Sequence, residues 1–164
     1  MIRKVKSSDA EAIVNIYNKY IEKTTVSFET EALTVEQMRQ RIADISSKYP
    51  YYVYENDGNV QGYAYVHQWK ERAAYSKTLE TTIYLDKDIK HQGVGTALML
   101  HVIEDCKREG FRVLIACITG ENSESIEFHK KLGFKQASMF HGVGHKFGRQ
   151  LDVVDMELHI QSDN

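Results

Sequence analysis

The chain has 164 residues, enough for one domain with a sizeable core, and its 42% hydrophobic and 27% charged residues are those of an ordinary folded domain rather than a disordered one. A net charge of -2 gives no global basic field for nucleic acid or a membrane surface, and no apolar run approaches the ~20 residues of a membrane span. Met1–Val5 lacks the apolar core of a signal peptide, and Cys106 and Cys117 show no metal or redox spacing, so the expectation is a single domain over 1–164 with buried, reduced thiols in a cytoplasmic protein.

Ile2 to Val5 reads as a short strand. Ser8 with Glu11 three residues on is a capping box, and Ala12, Ile13, Ile16, Tyr17 and Tyr20 give the helix that follows one apolar face. A loop from Thr24 to Leu33 holds Phe28-Glu29-Thr30-Glu31. Thr34 with Gln37 repeats the box and opens a second helix, with Met38, Ile42 and Ile45 as its apolar positions. Pro50 closes that region. Tyr51–Glu55 and Val60–Gln68 are strands joined by Asn56-Asp57-Gly58-Asn59, a strong hairpin signal. The loop from Trp69 to Tyr75 is aromatic and charged at once.

The stretch from Glu80 to Thr96 changes period. Thr81, Ile83 and Leu85 alternate with Thr82 and Tyr84, as in a strand. Lys90 to Gly95 is a Gly-rich turn, and from Val94 the apolar residues Val94, Leu98, Val102 and Cys106 recur every four residues, as in a helix. A strand, a glycine turn and a helix start can make an anion site, because the first N–H groups of a helix have no partner inside it. Glycine at 93 and 95 lets a phosphate approach the amides; on spacing alone, a plain tight turn fits equally well. The P-loop pattern and the third glycine of the dinucleotide fingerprint are both missing.

Gly110 ends the long helix as a C-terminal cap would. Val113–Thr119 is apolar almost throughout and is expected to be a strand buried on both faces. Asn122 can cap a helix from Ser123 to about Leu132, stopped by Gly133. Phe134–Phe140 and Leu151–Leu158 are the last strands, with a connection from His141 to Arg149. His141 and His145 have no ligand set of suitable spacing around them, so no metal site is expected. The order β, α, α, three strands, α, β, α, two strands argues an α+β domain around one mixed, mostly antiparallel sheet flanked by helices.

With that order in place, the chain resembles the GNAT superfamily of N-acetyltransferases over about Ile2 to Leu158, and within it the phosphinothricin and methionine-sulfoximine acetyltransferases. The superfamily signature Gln/Arg-x-x-Gly-x-Gly/Ala reads here Lys90-His91-Gln92-Gly93-Val94-Gly95. A second family stretch is matched by Asn122, Ser125, His129, Gly133 and Phe134. The subfamily is carried by Tyr20–Glu22 through Thr25–Phe28, by Trp69–Tyr75 and Glu80–Tyr84, and by Lys146–Arg149 with Leu151–Val153. Lys90 departs from the usual Arg or Gln, Gln150 stands where the subfamily usually has Trp, and Asp155 stands where an aromatic is common.

The resemblance implies the GNAT acyl-CoA N-acyltransferase fold, acetyl-CoA as co-substrate, a small-molecule amine acceptor and a homodimer. It implies that acetyl-CoA lies along Ile83, Tyr84 and Leu85 like an added strand, with its pyrophosphate on the amides of His91, Gln92, Gly93, Val94, Gly95 and Thr96. Asn122 is implied as a further cofactor contact, although a plain helix cap looks the same.

An ammonium cannot attack a thioester, so a carboxylate that takes its proton is needed, and Glu80 is the candidate base. A solvated strand-edge glutamate is its alternative reading. Arg72, flanked by Lys70 and Glu71, offers a fork for an acceptor carboxylate, or else is part of a surface charge cluster. Thr81, Thr82, Phe28 and Glu29 complete the expected substrate set, the threonines and Phe28 being equally at home in structural roles. His129 is the candidate for protonating the departing thiolate, or a helix-surface histidine. The acceptor expected is the α-amine of an amino-acid analogue of the phosphinothricin or methionine-sulfoximine type. The rivals are another amine (amino acid, polyamine or protein N-terminus) and a non-catalytic acyl-CoA-binding module.

Overall fold

In the computed structural model, which describes residues 1–161, seven strands form one sheet in the order β1-β2-β3-β4-β5-β7-β6. Ser162, Asp163 and Asn164, the end of the expected 1–164 domain, lie outside the described residues. The strands are β1 (Ile2–Lys4), β2 (Tyr51–Asn56), β3 (Asn59–Gln68), β4 (Thr78–Leu85), β5 (Val113–Thr119), β6 (Lys135–Lys146) and β7 (Arg149–His159). The helices are α1 (Ala10–Lys23), α2 (Val35–Ser46), α3 (Val94–Arg108) and α4 (Ser123–Lys131). Every strand pairing is antiparallel except β4 with β5, which the α3 crossover makes parallel.

Strand alternation gives the sheet two different faces. One buries Leu79, Leu114, Ala116 and Met156 against Leu98, Met99, Val102 and Cys106 of α3. The other buries Tyr51, Val53 and Tyr63 under Ile13, Val14, Met38 and Ile42 of α1 and α2. Tyr84, near the end of β4, packs into this second cluster against Tyr17 and Tyr20, with ring centroids 5.0 Å away in each case.

The expected turns form where local chemistry dictates them. Asp57 and Gly58, at φ 49° and 79°, make the two-residue hairpin between β2 and β3. The Thr34–Gln37 box forms in both directions, at 3.1 Å and 2.9 Å. Three expectations are corrected. The first helix is not capped by Ser8 and Glu11: it enters through a 3-10 turn at Ser7–Asp9, and the Asp9 carboxylate accepts from the Lys6 N–H at 2.7 Å. Two guanidinium N–H groups of Arg3, each 2.9 Å from an Asp9 oxygen, hold that carboxylate in place.

Residues 141–149 are not a loop. β6 continues to Lys146 after an irregularity between Phe140 and Gly144, and it turns into β7 through Phe147 and Gly148 at φ 51° and 70°. Glycines that read as loop punctuation serve there as a bulge and a tight hairpin. Finally, β5 is not buried on both faces: Cys106 is buried, but Cys117 is exposed. It lies on the same sheet face as α1 and α2, over the part those helices leave open.

Candidate active site

The site comes from a defect in the sheet. The β4–β5 ladder runs from Thr78↔Val113 to Thr81↔Ala116 and stops, while β4 continues to Leu85 and β5 to Thr119. Beyond Thr81 the two strands separate. Two cavities meet in the gap and share Val26, Ile83, Tyr84, Asn122 and Ser125. One, of 450 Å³, runs over the Gly-rich turn; the other, of 670 Å³, opens on the α1–α2 face.

The 450 Å³ groove gathers Ile83, Tyr84, Leu85, His91, Gly93, Gly95, Thr96 and Asn122 from the expected cofactor set. Gln92 and Val94 do not line it: the Gln92 amide donates to the Asp88 carbonyl at 3.2 Å, and Val94 is buried in the core. Gly93 is the residue before α3, at φ 80°, and has no side chain to cap the helix, so the first N–H groups of this 15-residue helix are left to whatever fills the groove. At Gly95 a Cβ would come within 3.3 Å of Leu85 and the Phe128 ring, so glycine lets the helix start seat against β4 and α4. Lys90, whose Nζ is 3.5 Å from Glu124, supplies positive charge at the lip. Open amides, a glycine cradle and a lysine fit a diphosphate. Beside them, β4 presents a backbone edge without a strand partner, and that suits a pantetheine arm.

The 670 Å³ cavity gathers Glu80, Thr81, Thr82, Phe28, Glu29 and His129 from the expected set. Around Glu29 the charges are closed: Arg41 on α2 forks onto it at 2.9 Å and 2.5 Å, and Tyr17 donates to it. The Arg41 guanidinium holds the Glu29 carboxyl below its ordinary pKa against the opposing effect of burial. Phe28 lies over the β6 bulge, where a Cβ at Gly144 would collide with its ring. Lys146, buried, donates to the Ser27 carbonyl at 2.7 Å and fixes the same loop from below.

Asn122 accepts from the Ser125 N–H at 3.2 Å, so the helix-cap reading holds, and it lines both cavities as well. His129 is 3% exposed, with Phe128 and Phe134 edge-on to its ring at 5.1 Å and 5.0 Å. Its Nδ1 is 2.7 Å from the Ser125 carbonyl, and burial lowers its pKa, so the ring is neutral at neutral pH rather than a store of protons. Lys70, Glu71 and Arg72 are not brought to this cavity. With Tyr75 they line a separate surface recess, and the Lys70 Nζ sits 4.4 Å from the centre of the Trp69 ring.

The lining residues absent from the sequence-derived set include Tyr17, Arg41, His67 and Cys117. Of these, His67 lies directly opposite Glu80 in the β3–β4 ladder. The His67 Nε2 is 3.1 Å from Glu80 Oε2. Cys117 is exposed at the cavity surface, yet partial desolvation against the sheet, with the negative charge of Glu80 and Asp155, pushes its pKa up to about 12.

Comparison with known proteins agrees with this geometry. The family model for the acetyltransferase (GNAT) domain matches residues 2–154. The chain belongs to the GNAT acetyltransferase family. This GNAT protein is 39% identical over 158 residues to a phosphinothricin N-acetyltransferase of Alcaligenes faecalis, covering 95% of this chain and 80% of that one. It is 32% identical over 162 residues to the L-methionine sulfoximine/L-methionine sulfone acetyltransferase of Pseudomonas aeruginosa, covering 97% and 94%. The crystal structure of a GNAT superfamily phosphinothricin acetyltransferase from Sinorhizobium meliloti in complex with acetyl-CoA superposes with a TM-score of 0.93, at 32% identity and 97% and 87% coverage. The α+β GNAT fold and the acetyl-CoA-dependent N-acetyltransferase activity expected from the sequence are both met.

Proposed function

We propose that this acetyltransferase moves the acetyl group of acetyl-CoA to the α-amine of a small amino-acid analogue of the phosphinothricin or methionine-sulfoximine type, by direct attack with Glu80 as general base. The observation that carries this is the placement of Glu80. Its carboxylate lines the acceptor cavity, and three residues further along β4 Ile83 lines both that cavity and the cofactor groove. The bound acetyl-CoA supplies an activated thioester. Residues 91–96 hold its diphosphate, and the free edge of Ile83, Tyr84 and Leu85 holds its arm. A backbone N–H at Tyr84 or Leu85 polarises the carbonyl. Thr82 and Phe28 bound the acceptor, and Glu29, Thr81 and Asn122 support the walls. Glu80 takes the proton that keeps the amine from attacking. His129, neutral and packed edge-on, orients Ser125 and α4 rather than protonating the thiolate.

A second reading, transfer to a different amine, is favoured by one feature. Among the described residues that line the cavity, Arg41 is committed to Glu29 and the recess of Lys70 and Arg72 is elsewhere, so an acceptor's own carboxylate finds no free arginine within one chain. An acceptor panel with free-thiol detection separates the two. The expected result is the highest kcat/KM on phosphinothricin or methionine sulfoximine. A higher value on a polyamine or a peptide N-terminus overturns the acceptor assignment.

We further propose a cytoplasmic homodimer. Met139, Phe140, Val143 and Phe147, on the outermost strand β6 and its hairpin, are large, apolar and 44%, 50%, 62% and 57% exposed, and an edge strand carrying such residues is one that a second subunit covers. Light scattering on the eluting protein should give twice the 18.9 kDa chain mass; a single-chain mass at micromolar concentration overturns it.

A further inference from the structure

Across the β3–β4 ladder, Glu80 faces His67. Nε2 of His67 lies 3.1 Å from Glu80 Oε2, and Nδ1 lies 2.9 Å from the Gln68 carbonyl oxygen. A carbonyl only accepts, so in the neutral ring the proton sits on Nδ1. That leaves the Nε2 lone pair aimed at the carboxylate, a contact completed only when a proton lies between nitrogen and oxygen. The ring is also open to water, at 34% side-chain exposure.

We propose that His67 receives, through Glu80, the proton that the acceptor amine gives up. This rests on the reading of Glu80 as the base. The ammonium N–H bond breaks as an O–H bond forms on Glu80; that O–H breaks as an N–H forms at His67 Nε2. What remains is a neutral amine and a carboxylate ion-paired with an imidazolium, which later passes the proton to water from its exposed edge. His67 acts through Glu80 rather than on the acceptor itself, so it is a positioning residue for the proton.

The chemistry favours such a handover. A lone glutamate, near ~4.3, is a weak base for an ammonium, whereas an imidazole near ~6.5 is matched to neutral pH. Burial is the largest single influence and pulls the His67 pKa down, but the hydrogen bond and charge of Glu80 and the Gln68 carbonyl together outweigh it, and the net shift is upward. The other groups beside the pair are Tyr65 on β3, its ring 5.9 Å from that of His67, and Cys117 on β5, which Asp155 of β7 approaches in turn. Across the cavity stand Arg41 and Glu29, already bound to each other.

Two measurements test the relay. An NMR titration of the His67 ring in wild type and E80Q reads the pair without turnover. The expected midpoint lies above the ordinary histidine value in wild type and falls in E80Q; an equal midpoint in both overturns the pairing. The second is kcat/KM for the acceptor in wild type divided by that of H67A, across pH. Ionisations of acceptor and acetyl-CoA are common to both proteins and cancel. The ratio should rise through the wild-type NMR midpoint and level off on the order of tenfold above its acid value. A flat ratio, or one that falls as pH rises, overturns the relay while an inactive E80Q leaves Glu80 as the base. An E80Q enzyme with wild-type turnover overturns both readings, and the NMR midpoints then show whether the pair exists without the chemistry.

Discussion

Glu80→Gln is expected to lower kcat by roughly 10²- to 10⁴-fold, the usual share of a general base, while the KM for acetyl-CoA stays within about twofold. The substitution keeps the shape of the side chain and removes its capacity to take a proton. The groups that fit acetyl-CoA are elsewhere: the α3 amides, the free β4 edge and the glycine turn at 93–95. A loss confined to kcat therefore separates proton removal from binding. Steady-state kinetics in both substrates, with calorimetry on acetyl-CoA, reads the two effects independently. If kcat falls by less than about tenfold, Glu80 is one of the cavity's walls and not its base.

Arg3→Ala is expected to cost about 3–5 kcal/mol of stability at neutral pH, because it strands a carboxylate that has been taken out of water. Asp9 has 7% side-chain exposure, and both of its oxygens are held by Arg3 at 2.9 Å. Burial alone raises the Asp9 pKa; Arg3 and the Lys6 amide outweigh it and hold the group below 3.8. With the folded pKa depressed, the contribution is fully present above about 3.9, the unfolded value, and is lost as pH falls through the lower folded value. In the variant only the Lys6 amide stands against burial, the larger of the two effects, so the sign reverses and acid relieves the strain of a buried charge. Urea melts from pH 7 to pH 3 should show the gap between the two proteins closing toward acid. Equal stability at pH 7 overturns the assignment.

That same corner shows where a sequence stops speaking. Ser8 and Glu11 satisfy the spacing of a capping box, and so does the Thr34–Gln37 pair. The second forms in both directions. At the first, Arg3 comes in from the edge strand β1 and recruits Asp9 instead, and one-dimensional spacing carries no trace of that competition. Local features were legible for local reasons: the Asn56–Asn59 hairpin, the glycine turn and the period change at Val94. The placement of Glu80 among the walls of a cavity, by contrast, depends on β4 and β5 parting company after Thr81, which only the assembled sheet decides. Cys117 read as buried because apolar runs usually are; its side of β5 faces the opening instead. The glycines of 142–148 read as a loop because a bulge and a loop use the same residues.

The four register pairs from Thr78↔Val113 to Thr81↔Ala116 are the whole parallel seam between the two halves of the sheet. Each further rung would satisfy two more backbone groups and draw the halves together, and in doing so would shut the passage in which the reactants meet. Firmness and openness thus draw on one short supply of peptide groups, and an enzyme of this build works because its seam is left unfinished.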